Sequence, residues 1–537
     1  MNHLLKSRIR LLWLAGCLCL PAAPVSAADQ IGLALLHTQA ANINGAGVRV
    51  AQVEADLYGS AGEFEVNPSF ATVAQPVQLF TYYTQSGSSG AFPNPYGTES
   101  LHADDVGELF YGMALGVATN LAHVDNYEAG DFVTLSASGI PYVYTNYTVT
   151  LPSSNIGDPL VNQSFAFEGY PTNLQTASDS AYDNYAAKYN ILFVSAIDNG
   201  GPVNPPSTCY NGLGVGAYGG SSSTGPTLDN GRAKPDLVTP WDETSFSTPQ
   251  VTGGAALLLQ AALAGVGGAD LNSATSPCAL KALLINGAVK PPGWTNNSPS
   301  PLDRNYGAGI MNVLNSYEQL AGGKHGYDAS ATVPTGGAHP PTGASATEPV
   351  LSGWDYNTNT SSSASDAVNH YYFNVTNAPS GATFATTATL VWNRHQSQTA
   401  INHLKLYLYN TANNNLVSAS VSAVDNVQHV WVPNLPAGRY DLQVWKAGGS
   451  YVSAAEPYAL AYAFTAPPLT VSRTSATSAT VSWPVYPAGY LLESTTNLLA
   501  SGGWNTNYPA PAVNQAQNQM VVATTTNSPT FFRLVLP

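Results

Sequence analysis

Charge is scarce in this 537-residue chain. Asp, Glu, Lys and Arg make up 9% of it, against roughly 25% in an average soluble protein. That excludes a surface built from ion pairs and leaves Ser, Thr, Asn, Gly and Tyr to face water. Basic residues are the rarer sign, 17 Lys and Arg against 32 Asp and Glu, for a net charge of −15. With no basic cluster beyond the N-terminus, nucleic acid is not an expected partner. Sulfur is scarce too, with four Cys and four Met, which excludes a disulfide-dense scaffold. Past the N-terminal segment, no run reaches the ~20 apolar residues of a bilayer-crossing helix, so no membrane span is expected.

What is present begins with an export signal. Lys6, Arg8 and Arg10 precede an apolar body from Leu11 to Leu20, and Val25-Ser26-Ala27 supplies small residues for cleavage. Residues 1–27 therefore read as a signal peptide, and the mature chain as secreted, periplasmic or extracellular. Leu14-Ala15-Gly16-Cys17 offers an alternative, a bacterial lipoprotein box that would leave a lipid on Cys17. If cleavage follows Ala27, Cys17 and Cys19 are lost. Cys209 and Cys278 then remain as a candidate disulfide in an oxidising compartment. The alternative is two separate buried thiols, because sequence does not fix the Cα separation.

Residues 28–325 alternate two kinds of pattern. Val48–Ala55, Leu121–Glu128, Leu160–Phe167, Ile191–Ile197 and Leu213–Gly220 read as buried strands, while Leu101–Gly116, Asn173–Tyr189 and Ala279–Gly287 read as helices. Strands alternating with helices predict an α/β fold with a parallel sheet and right-handed crossovers. Working residues then belong beyond the carboxyl ends of the strands. Residues 326–347, rich in Gly, Pro, Ala, Ser and Thr, read as a linker. Residues 348–466 show close strand alternation with turn residues about every ten positions, the pattern of a β-sandwich. Pro467-Pro468 opens a small C-terminal β module over 467–537, whose plain role is a spacer or cap.

The chemistry centres on Glu243-Thr244-Ser245-Phe246-Ser247-Thr248-Pro249-Gln250-Val251-Thr252-Gly253. The Ala- and Leu-rich run that follows predicts a buried helix, with Pro249 in its first turn. A serine just ahead of a helix has free N–H donors and the positive dipole end beside it, and both favour an oxyanion. By itself the same serine would be an N-cap.

This stretch resembles the nucleophile segment of the subtilisin family of serine peptidases, Gly-Thr-Ser-x-(Ala/Ser)-(Ala/Thr)-Pro-x-Val-x-Gly. Thr244, Ser245, Ser247, Thr248, Pro249, Val251 and Gly253 match it; Glu243 stands where the family has Gly. Lys234-Pro235-Asp236-Leu237-Val238-Thr239-Pro240 resembles the approach to that segment. His102-Ala103-Asp104-Asp105-Val106 is similar to the histidine motif, lacking its second His and final Gly. The acid falls on Glu54 rather than Asp, with Asp56 as rival. Asn199, in Ala196-Ile197-Asp198-Asn199-Gly200-Gly201, is similar to the oxyanion asparagine, although Asn-Gly alone is a turn. Val161-Asn162-Gln163-Ser164-Phe165 resembles the strand lining the substrate cleft, with Ser164 and Phe165 at its wall.

The resemblance implies a subtilisin-like three-layer α/β domain with a mostly parallel sheet, followed by β-sandwich modules. It implies a serine endopeptidase in which Ser245 attacks, His102 is general base, Glu54 orients it and Asn199 stabilises the oxyanion. The substrate is then a protein or peptide. No metal or other cofactor enters the chemistry, and calcium would be structural. The β modules would bind cell surface or substrate. Residues 28–46 are shorter than the family's usual propeptide, which implies that the folding-assistant segment is missing. The departures at Glu54 and Glu243 support an alternative, a degenerate relative serving as a binding or cell-surface module. An esterase using the same triad is a third reading that nothing in the chain favours.

Overall fold

A strand that is apolar on both faces must be covered on both, which is the condition of a parallel sheet inside a three-layer domain. The structure, a computed structural model, describes residues 31–535 apart from 57–61, 141–142, 170, 342–347, 349, 376–382, 450–451, 466–468, 476, 485–490, 498–502, 506–507, 515–516 and 524–529. The signal segment with Cys17 and Cys19, and the Pro467-Pro468 boundary, lie outside the described residues.

The central sheet contains β1 (Arg49–Glu54), β2 (Phe80–Thr84), β3 (Gly87–Ser89), β4 (His123–Glu128), β5 (Leu160–Gln163), β6 (Leu192–Ala196), β7 (Leu213–Ala217) and β8 (Leu237–Thr239). Its order is β8-β7-β6-β5-β1-β4-β2-β3. All neighbours pair in parallel except β2 and β3, which form an antiparallel edge. The period-2 alternation of side chains divides the core. Val50, Leu160, Leu192 and Val194 face one cluster; Ala51, Val53, Val161 and Phe193 face the other. Each fully buried aliphatic side chain in these rows contributes about 1.5–3 kcal/mol.

Six helices matter here: α1 (Leu33–Gln39), α2 (Leu101–Phe110), α3 (Thr172–Tyr189), α4 (Thr244–Leu263), α5 (Pro277–Gly287) and α6 (Val313–Ala321). The α3 residues Tyr182 and Tyr185 cover the second face. Helix α4 is buried nearly all round, as its uninterrupted Ala and Leu content requires. It packs beside α2, and Gly253 permits the approach: a Cβ there would lie 2.6 Å from Cβ of Val117. Its start differs from the sequence reading. The helix begins at Thr244, so Ser245 lies within the first turn and Pro249 lies further inside.

The C-terminal region is a sandwich of two antiparallel sheets. One has the order 329–334, 365–374, 439–446, 404–410, 415–420; the other has 352–360, 455–465, 383–392, 427–436. Tyr371, Phe373, Trp392, Leu404, Leu442 and Leu460 fill the space between them. The first strand, Ala329–Pro334, occupies part of the stretch read as linker. Its small residues hide the alternation, and it joins the sheet only by pairing with residues 365–370. The outer face of the second sheet packs on α5, so Val391, Val427, Ala459 and Ala461 share a core with Leu283 and Leu284. Polar links fix the same junction. Asn286 Oδ1 accepts from the hydroxyls of Thr387 and Thr389, each at 2.9 Å, and Arg394 pairs with Asp183 at 2.7 Å. A last module pairs 470–473, 478–484, 517–523 and 512–514, beside a ladder of 491–495 with 531–535.

The disulfide expected between Cys209 and Cys278 is not formed. Both are free, buried thiols. Cys278 sits on α5 and its Sγ–H donates to the carbonyl of Val391 at 3.3 Å, while Cys209 packs with the α3-side core. Burial pushes both thiols up to about 12.

Candidate active site

The carboxyl ends of β1, β5 and β6 and the N-terminal turns of α2 and α4 meet on one side of the sheet. Glu54 is the last residue of β1 and is 1% exposed. His102 lies in the first turn of α2, whose N-cap Ser100 accepts from the Ala103 N–H. The two side chains meet, with His102 Nδ1 2.9 Å from Glu54 Oε2. A buried carboxylate there fixes the proton on Nδ1 and leaves Nε2 as the basic nitrogen. Burial works to lower the His102 pKa. The hydrogen bond and charge of Glu54, reinforced by Asp105 and Glu243, outweigh it, and the pKa is raised above its ordinary value.

Asp56 does not take the orienting position. Its Oδ1 accepts from the Gly62 N–H at 3.0 Å, which is a loop contact.

Ser245 is held from two directions. Pro249 has no N–H to donate to the Ser245 carbonyl, as the helical pattern would require. The Ser164 hydroxyl supplies that bond instead, at 2.8 Å. In return the Ser245 hydroxyl donates to the Ser164 carbonyl at 3.1 Å. Asn162 supports Ser164 with an N–H donated to its Oγ at 3.1 Å. Among the described residues no hydrogen bond joins His102 to Ser245. The imidazole packs near the next residue, with ring centroids of His102 and Phe246 6.0 Å apart. Phe165 is half-buried beside the α3-side core, its ring 5.9 Å from that of Phe167.

Asn199 follows β6 on a tight turn in which Asp198 has φ 91°. Its Oδ1 accepts both the backbone N–H and the hydroxyl of Thr244, at 2.9 and 2.8 Å. That fixes which way the amide lies. The NH2 group and the N–H of Ser245 have no partner among the described residues. Two donors are thus left over near the start of α4.

Glu243 is exposed, with extended backbone (φ −138°, ψ 154°), so this site needs no glycine. The loop into α4 also borders an open hollow of about 730 Å3, lined by Tyr218, Gly219, Pro240, Trp241 and Asp242. Among the described residues, no three His, Cys, Asp or Glu side chains converge to hold a metal, and no calcium site is assigned. No described helix is long and apolar enough to cross a membrane.

One pair went unread in the sequence. Gln52, 0% exposed, donates from Nε2 to Glu54 Oε1 at 2.9 Å, and the Tyr111 hydroxyl donates to Gln52 Oε1 at 2.5 Å. The signal for Gln52 was present: Gln52 and Glu54 are two polar residues on one face of a buried strand. Tyr111 gave none.

Comparison with known proteins follows from this geometry. Residues 133–309 match the model of the subtilase family. The match spans Asn199 and Ser245; Glu54 and His102 precede it. No curated protein matches the chain. Among solved structures, the self-cleaved protease domain of PatA overlays at 19% identity, covering 51% of this chain and 97% of that one, TM-score 0.31. The prenylagaramide maturation protease PagA overlays at 19% identity, 55% and 99% coverage, TM-score 0.34. A serine protease of Aeromonas sobria overlays at 12% identity, 92% and 88% coverage, TM-score 0.34. Overlays this loose carry no functional weight.

Proposed function

Proceeding from a chain whose residues 133–309 match the subtilase-family model, we propose that the protein is an exported serine endopeptidase. Glu54, His102 and Ser245 act as the triad, and Asn199 with the Ser245 N–H binds the oxyanion. The supporting observation is a division of labour around one residue. The Glu54–His102 pair at 2.9 Å faces the start of α4, and Thr244 holds the Asn199 carbonyl away so that its NH2 remains free.

In this reading Glu54 keeps His102 in the Nδ1–H tautomer. Rotation of Ser245 about χ1 exchanges the Ser164 carbonyl for His102 Nε2, a step between staggered wells. Nε2 takes the hydroxyl proton as Oγ attacks the scissile carbonyl, then returns it to the leaving amine. Charge on the carbonyl oxygen is met by the two unpartnered donors.

The engaged Ser245 hydroxyl favours a second reading, a non-cutting relative that binds. A fluorophosphonate probe separates them. The enzyme reading requires label on Ser245, lost in His102→Ala, together with cleavage of casein by the unlabelled protein. Folded protein that takes no label would leave only the binding module.

A further inference from the structure

A glutamate in this position carries a penalty that an aspartate would not. It has one more rotatable bond to fix, and it is 1% exposed, where an ionised carboxylate must have partners. Each oxygen of Glu54 has one. Oε2 meets His102 Nδ1, and Oε1 accepts from Gln52 Nε2, both at 2.9 Å.

Gln52 has no freedom of its own. Its NH2 group spends its second hydrogen on the Ala103 carbonyl at 3.0 Å, and its Oε1 is taken by the Tyr111 hydroxyl at 2.5 Å. The NH2 group faces two acceptors, the Glu54 carboxylate and the Ala103 carbonyl, and an amide rotated by 180° would set its own carbonyl against both. Those acceptors fix which way Gln52 lies, and the Tyr111 hydroxyl holds the amide there by donating to Oε1. Burial holds that phenol far above its ordinary pKa, so it remains a donor. The covalent layout adds to this. Tyr111 is the C-cap of α2, while His102 and Ala103 lie in its first turn. Both ends of one helix are thus tied to the Gln52 and Glu54 face of one strand.

We infer that Gln52 and Tyr111 are positioning residues that hold the Glu54 carboxylate at His102, and that this relay is what lets glutamate do the orienting. The inference rests on the triad reading above. Neither residue touches substrate; both act through Glu54.

The test uses the full chain, a peptide substrate and four variants, Gln52→Leu, Tyr111→Phe, the double change and Gln443→Leu. Gln443 is the comparator, a buried glutamine that bonds a histidine-paired aspartate in the sandwich, far along the chain from Ser245. Gln52→Leu should lower kcat on the order of 10- to 100-fold, the scale of a small misplacement of a reacting group, with KM within about twofold. Tyr111→Phe should lower it less, and should add nothing in the Gln52→Leu background. Gln443→Leu should lower Tm and leave kcat unchanged. The low-field proton resonance of His102 Nδ1–H should shift in both Gln52→Leu and Tyr111→Phe. That signal does not require turnover, so it separates the relay from the activity: an unlabelled, inactive wild type defeats the triad reading, whereas an unmoved resonance defeats the relay. Full additivity of the two changes would also overturn it, and so would unchanged kcat per folded molecule in Tyr111→Phe, even if Gln52→Leu does not fold.

Discussion

Two histidines in this molecule have nearly the same partners. His102 Nδ1 meets Glu54 at 2.9 Å, and His370 Nδ1 meets Asp441 at 2.8 Å. In each case a glutamine two residues along the strand donates to the carboxylate, Gln52 to Glu54 and Gln443 to Asp441. In each case an aromatic donor fixes that glutamine through Oε1, the Tyr111 hydroxyl in one and the Trp445 indole N–H in the other. What differs is the open side. His370 is 4% exposed and stacks on Tyr372 inside a sheet, whereas the His102 side chain is 20% exposed beside the turn that carries Ser245. A carboxylate-bound imidazole is therefore a stable way to bury a histidine anywhere. In the proposed function it becomes chemistry only where a helix start presents a serine and free N–H donors.

The comparison breaks most visibly at the carboxylates. Glu54→Gln should lower kcat by about 10^4-fold through loss of the correct tautomer, whereas Asp441→Asn should change Tm and leave kcat/KM as it was. Asp56→Asn should leave activity within about twofold, since its contact is to the Gly62 loop; assays on folded protein decide all three. Next comes the donor that the sandwich histidine lacks. Asn199→Ala should cost 10^2- to 10^3-fold in kcat, about 2.7–4 kcal/mol, with little change in KM. If KM alone moved, Asn199 would be a turn residue and no more.

A smaller effect lies in pH. The proposed mechanism needs the neutral imidazole, and Glu54, Asp105 and Glu243 raise the His102 pKa against burial. The rise of kcat/KM with pH should then have its midpoint above about 6.5. Glu243→Gln and Asp105→Asn should each lower it only slightly, because both carboxylates are exposed and screened. A midpoint at or below the ordinary value in the parent enzyme would contradict the raised pKa. The same raised value makes the protonated pair stabilising below about pH 6.5. That contribution fades as pH rises through the folded-state pKa. The smallest expected change is none: reductant should not shift Tm, because Cys209 and Cys278 are separate thiols.

Much of this was written in the chain itself. Periodicity and run length marked the strands at 49–54, 160–163 and 192–196 and the long helix after Ser245, because those segments are apolar on faces that must be covered. Resemblance to subtilisin-family motifs, not local chemistry, carried Glu54, His102, Asn199 and Ser245 as candidates. Three features were not legible. The strand 329–334 is made of small residues and exists only through its partner strand. In the hairpin of Thr134–Ile140 with Val143–Thr150 the first strand is exposed along nearly its whole length, so burial imposed little pattern on it. The helix start at Thr244 was misplaced because Ser164, more than eighty residues away in sequence, supplies the bond that Pro249 cannot.

By itself the sequence determined which segments would be buried, because composition and spacing act locally, and its motif resemblance named the side chains that could carry acid, base and nucleophile. Only the tertiary structure decided that Glu54 and not Asp56 reaches His102, that Gln52 and Tyr111 stand behind it, and that the two cysteines stay apart. Those are matters of direction across strands and helices far separated in sequence, set by how the layers pack.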